Sequence, residues 1–261
     1  MSVLDLFNLT GQVAIVTGGA RGLGRQMALA LVEAGADVAI CDLLEEEGRR
    51  TATELAVLGR RTLFGRVDVT RADEIEAFIG QVAERLGKID ILVNNAGMSS
   101  DGLALQEEPD DAWRRMLDTN LSSMFYVGKR VAQHMIERGA GGVIINMASI
   151  NSLVISNIAP RHNVPYCVAK AGVAQLTRGM AADWAPYGVR VNAIAPGAML
   201  TAQTAASRKY PEIMERIITN TPMKRYGEEE EIKGLVVYLA SPASSFVTGS
   251  LVVMDGGTTI W

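Results

Sequence analysis

Tyr166 and Lys170 are the two residues whose types and spacing most directly suggest chemistry. Pro165 suits the first turn of a helix, because its missing N–H would have no partner there. A helix that begins at this point places Tyr166 and Lys170, four residues apart, on one face. A nearby ammonium lowers the pKa of a tyrosine, so Tyr166 is a candidate acid or base near neutral pH. The alternative is a half-buried tyrosine whose neighbouring lysine reaches solvent.

A glycine-rich turn lies between the first predicted strand, 12–17, and the first predicted helix. Its spacing is Gly-x-x-x-Gly-x-Gly, at Gly18, Gly22 and Gly24. A turn between a strand and a helix presents backbone N–H groups to a phosphate at the helix N-terminus. This spacing differs from the Gly-x-Gly-x-x-Gly dinucleotide fingerprint. We interpret the turn as phosphate-binding, and a tight connection without a ligand is the alternative.

Asp42 ends the second predicted strand, 37–42, where an acidic residue accepts hydrogen bonds from adenosine ribose hydroxyls. A carboxylate there repels a 2′-phosphate, so Asp42 favours NAD over NADP. Arg21 acts in the opposite direction, because an arginine near the ribose accommodates a 2′-phosphate. We give more weight to Asp42. Its alternative role is the N-cap of a helix that starts at Leu43.

Polar residues also follow the next two predicted strands. Asp68 comes after the strand 61–67 and either bonds an adenine amino group or caps the next helix. Asn94 and Asn95 follow the next strand, and asparagines commonly hold a turn by themselves. Gly97 lets a ligand lie close to the backbone. These residues would meet at the carboxyl edge of a parallel sheet.

Two further polar residues occupy positions that need an explanation. Asn120 lies on the apolar stripe of a predicted helix, 110–137, where a buried polar group must find partners. It bonds a helix carbonyl and opens a kink, holds a water beside a reactive centre, or does both. Ser149 ends the predicted strand 142–148, from which its hydroxyl can point into the ligand crevice. The alternative for Ser149 is a loop serine that bonds its own backbone.

Strands alternate with helices along the chain, which predicts βαβ units and a parallel sheet. Crossovers should be right-handed, with ligands beyond the carboxyl ends of the strands. We therefore predict one α/β domain, a doubly wound Rossmann fold with a seven-stranded parallel sheet and helices on both faces. The segment 198–227 is interpreted as a helical lid that excludes water, or as an insert packed permanently on the body. The predicted strands are 12–17, 37–42, 61–67, 89–93, 142–148, 188–195 and 251–254, and the later helices are 44–59, 71–86, 110–137 and 164–185.

Composition excludes several classes of protein. A net charge of −4 over 261 residues argues against nucleic-acid binding, which needs a basic surface. Cys41 and Cys167 make neither a disulfide framework nor a metal-site spacing. No stretch is long and apolar enough to span a bilayer. The segment 1–10 lacks the basic start of a signal peptide, so a cytoplasmic location is expected.

In their order along the chain, these motifs resemble those of the short-chain dehydrogenase/reductase family over nearly the whole length. Asn120, Ser149, Tyr166 and Lys170 fall where the catalytic tetrad of that family falls. Pro196-Gly197 with Thr201 is similar to the segment that borders the nicotinamide. The cofactor contacts implied by the resemblance are Gly18, Arg21, Gly22, Leu23, Gly24, Asp42, Asp68, Val69, Asn95, Ala96, Gly97, Tyr166, Lys170, Pro196, Gly197 and Thr201.

The resemblance implies reversible hydride transfer between an alcohol and NAD. In that mechanism Tyr166 takes the hydroxyl proton, Lys170 lowers the pKa of Tyr166 and holds the nicotinamide ribose, and Ser149 stabilises the substrate oxygen. Asn120 would hold a water that links Lys170 to solvent. No metal is needed. The resemblance also implies a homotetramer, with a four-helix contact through 110–137 and 164–185.

One interval departs from the family pattern. Ser149 lies 17 residues before Tyr166, and the family usually has a shorter spacing, closer to that of Ser152. We choose Ser149 because it directly ends a strand. The extra residues, within 155–163, should bulge beside the substrate and carry Arg161 and His162, for which a solvated surface role is the alternative.

Substrate is the least determined property. The segments 6–11 and 144–149 are similar to those of bacterial sugar-acid and polyol dehydrogenases of this family. Arg161, Arg208 or Lys209 could pair with a sugar-acid carboxylate, although each also fits a surface charge. The apolar lid would equally suit a steroid or an acyl-carrier substrate, so a 3-oxoacyl-thioester reductase is the second candidate. An NAD-binding scaffold or redox sensor without catalysis is the candidate from another class.

Overall fold

Short runs of β-branched and small apolar residues form one parallel sheet in this computed structural model. The structure describes residues 2–99, 102–155, 162–202, 204–205 and 209–260. The strand order β3-β2-β1-β4-β5-β6-β7 confirms the predicted seven-stranded parallel sheet. The strands are β1 (Val13–Thr17), β2 (Asp37–Asp42), β3 (Thr62–Arg66), β4 (Ile91–Asn94), β5 (Gly142–Met147), β6 (Val189–Pro196) and β7 (Leu251–Met254).

Helices cover both faces of the sheet, as predicted. One apolar core includes side chains of α1 and α8, and a second core includes side chains of α3 and α5. Central strands are therefore buried on both faces, and all residues of β1 and β4 are buried. The helices are α1 (Gly22–Glu33), α2 (Glu45–Ala56), α3 (Ala72–Leu86), α4 (Asp110–Leu117), α5 (Ser123–Arg138), α6 (Val164–Trp184), α7 (Pro211–Asn220) and α8 (Ile232–Ala240).

The direction in which successive strands are added to the sheet reverses between β1 and β4. The chain builds outward from β1 to β3 and then returns to the other side of β1, where β4 pairs with it. Ligands of open α/β sheets bind outside the carboxyl ends of the strands at such a reversal. The topology therefore places a crevice beside Gly18, which follows β1, and Asn95, which follows β4.

The predicted helix 110–137 is interrupted. A π-helical turn, Asp118–Ser122, separates α4 from α5, and Asn120 lies fully buried within it. The Asn120 Nδ2 atom donates to the carbonyl oxygen of Met116 at 3.1 Å, and the Ser123 hydroxyl donates to Thr119 O at 2.6 Å. These side-chain bonds replace regular backbone bonds and widen the turn, as π-bulges at functional sites do.

The segment 198–227 leaves and rejoins the body at one place. Met199 and Gly227 form an isolated parallel bridge, in which Leu200 N donates to Gly227 O at 2.8 Å and Gly227 N donates to Ala198 O at 3.0 Å. Between these ends, α7 has only Ile217 buried. Among the described residues, no helix combines the length and apolar character needed to cross a membrane.

Candidate active site

The helix α6 carries the tyrosine–lysine pair. It begins at Val164, with Pro165 in its first turn as predicted, and the Asn163 side chain accepts a hydrogen bond from Tyr166 N at 3.3 Å. That cap fixes the start of the helix, so Tyr166 and Lys170 lie one turn apart. The Lys170 Nζ atom lies over the Tyr166 ring, 5.5 Å from the ring centroid.

Lys170 is buried and held by a backbone carbonyl. Its side chain is 4% exposed, and its Nζ atom donates to Met147 O at 2.7 Å, at the carboxyl end of β5. Burial lowers the pKa of Lys170 to about 8, because the charged form loses hydration. The amine is still mostly protonated at neutral pH.

Tyr166 has a raised pKa, which corrects one expectation from the sequence. Burial raises the pKa of Tyr166 to about 12, and the polar side chain of Ser149 opposes that rise. The charge of Lys170 lies over the ring face and is bonded to Met147 O. In this geometry desolvation outweighs any effect of the ammonium, so Lys170 alone does not lower the pKa of Tyr166 below its ordinary value.

Ser149 lies beside Tyr166, close enough for its side chain to lower the pKa of the tyrosine hydroxyl. The Ser149 Oγ atom also accepts from Asn151 N at 3.1 Å, so the local backbone bond considered from the sequence coexists with the contact to Tyr166. Ser152 lies in the following turn, and its hydroxyl donates to Ser149 O at 2.5 Å. The longer interval before Tyr166 therefore still leaves Ser149 beside Tyr166.

Asn120 clamps the loop that follows β4. Its Nδ2 atom donates to Met98 O at 3.0 Å, and its Oδ1 atom accepts from Met98 N at 3.0 Å. A Cβ atom on Gly97 would lie 2.6 Å from Asn120 Oδ1, so only glycine fits there. Asn120 thus bonds a helix carbonyl and opens the π turn, which is the first of its two expected roles.

The glycine turn is tied to β4 by polar side chains. Asn95 Nδ2 donates to Thr17 O and to Gly18 O, both at 3.0 Å. The Thr17 hydroxyl oxygen accepts from Asn95 N at 2.9 Å and from Ala96 N at 3.0 Å. These four bonds hold the carboxyl ends of β1 and β4 together at the sheet reversal.

The turn has the shape that a dinucleotide phosphate requires. Gly18 and Gly22 adopt φ of 64° and 58°, a region that favours glycine. A Cβ on Gly24 would lie 2.0 Å from Gly18 O, so the helix start packs directly on the turn. A Cβ on Gly22 would meet nothing closer than Glu229 Oε1 at 3.9 Å, so the backbone there faces open space. The turn therefore fits a nucleotide pyrophosphate at the N-terminus of α1.

Asp42 lies at the same edge. Its Oδ2 atom accepts from Ala20 N, in the glycine turn, and its Oδ1 atom accepts from Leu44 N, each at 3.1 Å. The helix α2 starts at Glu45 with Leu44 as its N-cap, so Asp42 is not the helix cap. Each carboxylate oxygen retains a lone pair for a ribose hydroxyl. Arg21 is exposed at the N-cap of α1.

The other predicted cofactor residues are distributed along this edge. Asp68 Oδ1 accepts from Thr70 N at 2.9 Å and from the Thr70 hydroxyl at 2.7 Å, which is a local turn rather than a helix cap. Val69 is buried. Gly197 N donates to Met254 O at 2.9 Å. Leu23 lies in the first turn of α1, Ala96 follows β4, Pro196 ends β6, and Thr201 comes two residues after the bridge at Met199.

Some predicted residues fall outside this description. Arg161 and Arg208 lie outside the described residues, as does most of the segment 155–163. His162 and Lys209 are exposed. Within the described ranges, no group of three or more His, Cys, Asp or Glu side chains is placed to hold a metal ion.

Sequence reasoning did not assign two groups of this site. The Met147 carbonyl holds Lys170, and a backbone acceptor leaves no mark in the sequence. Thr17 joins β1 to β4 through its hydroxyl, and its position as the last residue of a buried strand was the available signal.

Comparison with known proteins places this arrangement among oxidoreductases. A family model described as "Enoyl-(Acyl carrier protein) reductase" matches residues 18–259. The chain is 38% identical over 263 residues to a galactitol 2-dehydrogenase (L-tagatose-forming) of Cereibacter sphaeroides, and the match covers 100% of each chain.

Similar solved structures include complexes with nicotinamide dinucleotides. A gluconate 5-dehydrogenase from Burkholderia cenocepacia J2315, in complex with NADP and tartrate, is 37% identical with a TM-score of 0.93, covering 100% of both chains. A carveol dehydrogenase from Mycobacterium avium, in complex with NAD, is 28% identical with a TM-score of 0.92, covering 97% of this chain and 99% of the other. The similarity therefore extends over the whole site.

Proposed function

The chain belongs to the short-chain dehydrogenase/reductase family, and we propose that its substrate is a polyol, sugar or sugar acid and that its preferred cofactor is NAD. It is an NAD(P)-dependent oxidoreductase that interconverts a secondary alcohol and a ketone. The observation that carries the proposal is the placement of Lys170 Nζ, 5.5 Å from the centroid of the Tyr166 ring and bonded to Met147 O at the carboxyl end of β5, with Ser149 beside Tyr166.

The proposed mechanism uses these side chains for proton transfer. The oxidised nicotinamide, when bound, supplies the hydride acceptor and a positive charge. The Tyr166 oxygen takes the proton of the substrate hydroxyl, and the Ser149 hydroxyl donates a hydrogen bond to the substrate oxygen. The Lys170 ammonium, held at Met147 O, stabilises the phenolate form of Tyr166. Because the phenolate is the reactive form, oxidation should accelerate as the pH rises.

Asp42 supports NAD as the preferred cofactor, and its charge can be tested. We expect Asp42→Asn to lower the ratio of kcat/KM for NAD+ to that for NADP+ by about tenfold, because the repulsion of a 2′-phosphate is removed. Glu45→Gln is the matched control, since it removes a negative charge from an exposed side chain that lies three residues after Asp42. A wild-type enzyme that prefers NADP+ would contradict the assignment.

The segment 198–227 is proposed as a lid over the substrate. Its ends meet at the bridge between Met199 and Gly227, and α7 has only Ile217 buried. The part of the segment that has little buried surface is α7, which can move without disturbing the sheet, whereas Met223 N donates to Gly256 O at 3.1 Å and holds the chain after α7 to the body. Closure over the site would exclude water from the hydride transfer.

The substrate class is tested by a screen for NADH formation. We expect turnover of polyols, sugars or sugar acids, assayed at equal concentration with NAD+ and then with NADP+. Bound cofactor without turnover on any alcohol would instead favour a non-catalytic scaffold. The similarity to a galactitol dehydrogenase and a gluconate dehydrogenase makes galactitol and gluconate the first compounds to assay.

A second candidate, a 3-oxoacyl-thioester reductase, is favoured by one observation. Large apolar side chains are exposed in the loops after β4 and β5, where a polyol would offer them no apolar surface. A 3-oxoacyl thioester and NADPH belong in the same screen, and faster turnover of that pair would select this candidate. The exposed side chains are Met98, Leu103, Leu105, Leu153, Val154 and Ile155.

A homotetramer is proposed from the exposed faces of α5 and α6. Phe125 and Tyr126 are 42% and 38% exposed and pack edge to face, and Val168 is 42% exposed. We expect light scattering to give four times the chain mass of 28.0 kDa, and Phe125→Glu to reduce that mass. A wild-type monomer at assay concentration would contradict the proposal. A cytoplasmic location stays a prediction from the sequence.

A further inference from the structure

A row of buried hydrogen bonds links α5, β4, β5 and α6. Asn94 Nδ2 donates to Met124 O at 3.1 Å and to Asn146 Oδ1 at 3.0 Å. Asn146 Nδ2 donates to Thr177 Oγ1 at 2.9 Å, and the Thr177 hydroxyl donates to Val173 O at 2.8 Å. We call Asn94, Asn146 and Thr177 the amide row.

The amide row is built of polar groups where apolar packing would suffice. Each of its three residues is at most 1% exposed, and they lie between two apolar cores. Buried amides and hydroxyls cost free energy unless they are hydrogen-bonded, whereas apolar contacts have no preferred direction. Hydrogen bonds between buried polar side chains have a preferred direction, so the amide row fixes the register of the elements that it joins.

The amide row lies next to the hydrogen bond by which Lys170, on α6, is held to Met147 O, on β5. Asn146 precedes Met147, whose carbonyl oxygen accepts from Lys170 Nζ at 2.7 Å. Thr177 lies seven residues after Lys170 on α6, so the two side chains face the same side of the helix. A shift or rotation of α6 along β5 would break the bond between Asn146 and Thr177 and the bond between Lys170 and Met147 together.

The other end of the row lies beside the cofactor turn and the π turn. Asn94 is followed by Asn95, which bonds Gly18 O. Met124, in the first turn of α5, comes four residues after Asn120. The row thus links α6, which carries Lys170, to elements that adjoin Asn120 and the glycine turn.

We infer that the amide row positions Lys170, and that Asn146 and Thr177 act as positioning residues which hold α6 in register with the carboxyl end of β5. The inference rests on the proposed oxidoreductase function, since Lys170 acts there through Tyr166. Neither positioning residue contacts Tyr166 in the hydrogen bonds described. The row sets where the lysine charge lies relative to the tyrosine ring.

Thr177→Val tests this inference, because it removes the hydroxyl and preserves the shape of the side chain. A misplaced catalytic group reduces rate more than binding, so we expect kcat for alcohol oxidation to fall by about tenfold with KM nearly unchanged. A displaced Lys170 stabilises the phenolate less, so the apparent pKa of the kcat profile should rise by about 0.5 or more. Thr177→Ser restores the hydroxyl and should restore both values.

The matched control is Thr62→Val, which removes a hydroxyl bonded to Ala52 O on the outer strand β3. It should leave kcat and the pH profile unchanged. A Thr177→Val enzyme with reduced thermal stability but an unshifted profile would overturn the inference, as would failure of Thr177→Ser to restore the rate. If Thr177→Val and Thr177→Ala both fail to fold, the row serves folding alone, and the inference is also overturned. Wild-type turnover in the same assay tests the proposed function separately.

Discussion

Tyr166→Phe is expected to lower kcat for alcohol oxidation by at least about 10²-fold, because a general base contributes roughly 10²–10⁴-fold. The substitution keeps the ring under the Lys170 ammonium and removes only the hydroxyl oxygen. Cofactor binding should be retained, since no part of the glycine turn is altered. The measurement is NADH formation at saturating alcohol and NAD+, together with the Kd for NADH from its fluorescence.

Tyr187→Phe provides the matched control. Tyr187 follows α6 and is 55% exposed, so loss of its hydroxyl should leave the rate unchanged. A Tyr166→Phe enzyme that binds NADH and turns over at a near-normal rate would remove Tyr166 from the mechanism. The alternative, a tyrosine with only a structural role, would show itself as a loss of thermal stability without a specific loss of kcat.

Gly24→Ala is the second substitution with a large expected effect. The added methyl group would lie 2.0 Å from Gly18 O and 2.5 Å from Asn95 Nδ2, and the backbone atom cannot move without opening the turn. Overpacking of this kind typically costs about 1–3 kcal/mol of folding free energy. Because the same turn presents its N–H groups to the pyrophosphate, we expect the Kd for NADH to rise by about tenfold or more.

Gly80→Ala separates this contact from a general effect of replacing a helical glycine. Gly80 lies on the exposed face of α3, and a Cβ there would meet no atom within 4 Å. We expect it to stabilise the protein by about 0.5–1 kcal/mol, since alanine has the higher helix propensity. Titration of NADH into both variants and thermal melts would check the pair. Unchanged NADH affinity in Gly24→Ala would show that the turn does not hold the phosphates.

The fold was predictable because its signals are local. The strands β1 and β2 were predicted within one residue at each end, since buried parallel strands are short apolar runs bounded by glycine or polar residues. Proline at the start of α6 located the tyrosine–lysine pair. A kink at Asn120 was one of the alternatives that the sequence left open, because the apolar spacing continues across 118–122 and only the bonds of Asn120 open the turn.

By itself, the sequence determined the parallel α/β architecture, the glycine turn, and the residues with suitable chemistry at the strand ends. Those properties depend on neighbours in the chain and on the alternation of apolar segments. Only the tertiary structure decided that Ser149 reaches Tyr166 and that Met147 O holds Lys170. It also decided that the pKa of Tyr166 is raised. Such features depend on burial and on distances between residues far apart in the chain, which residue spacing does not encode.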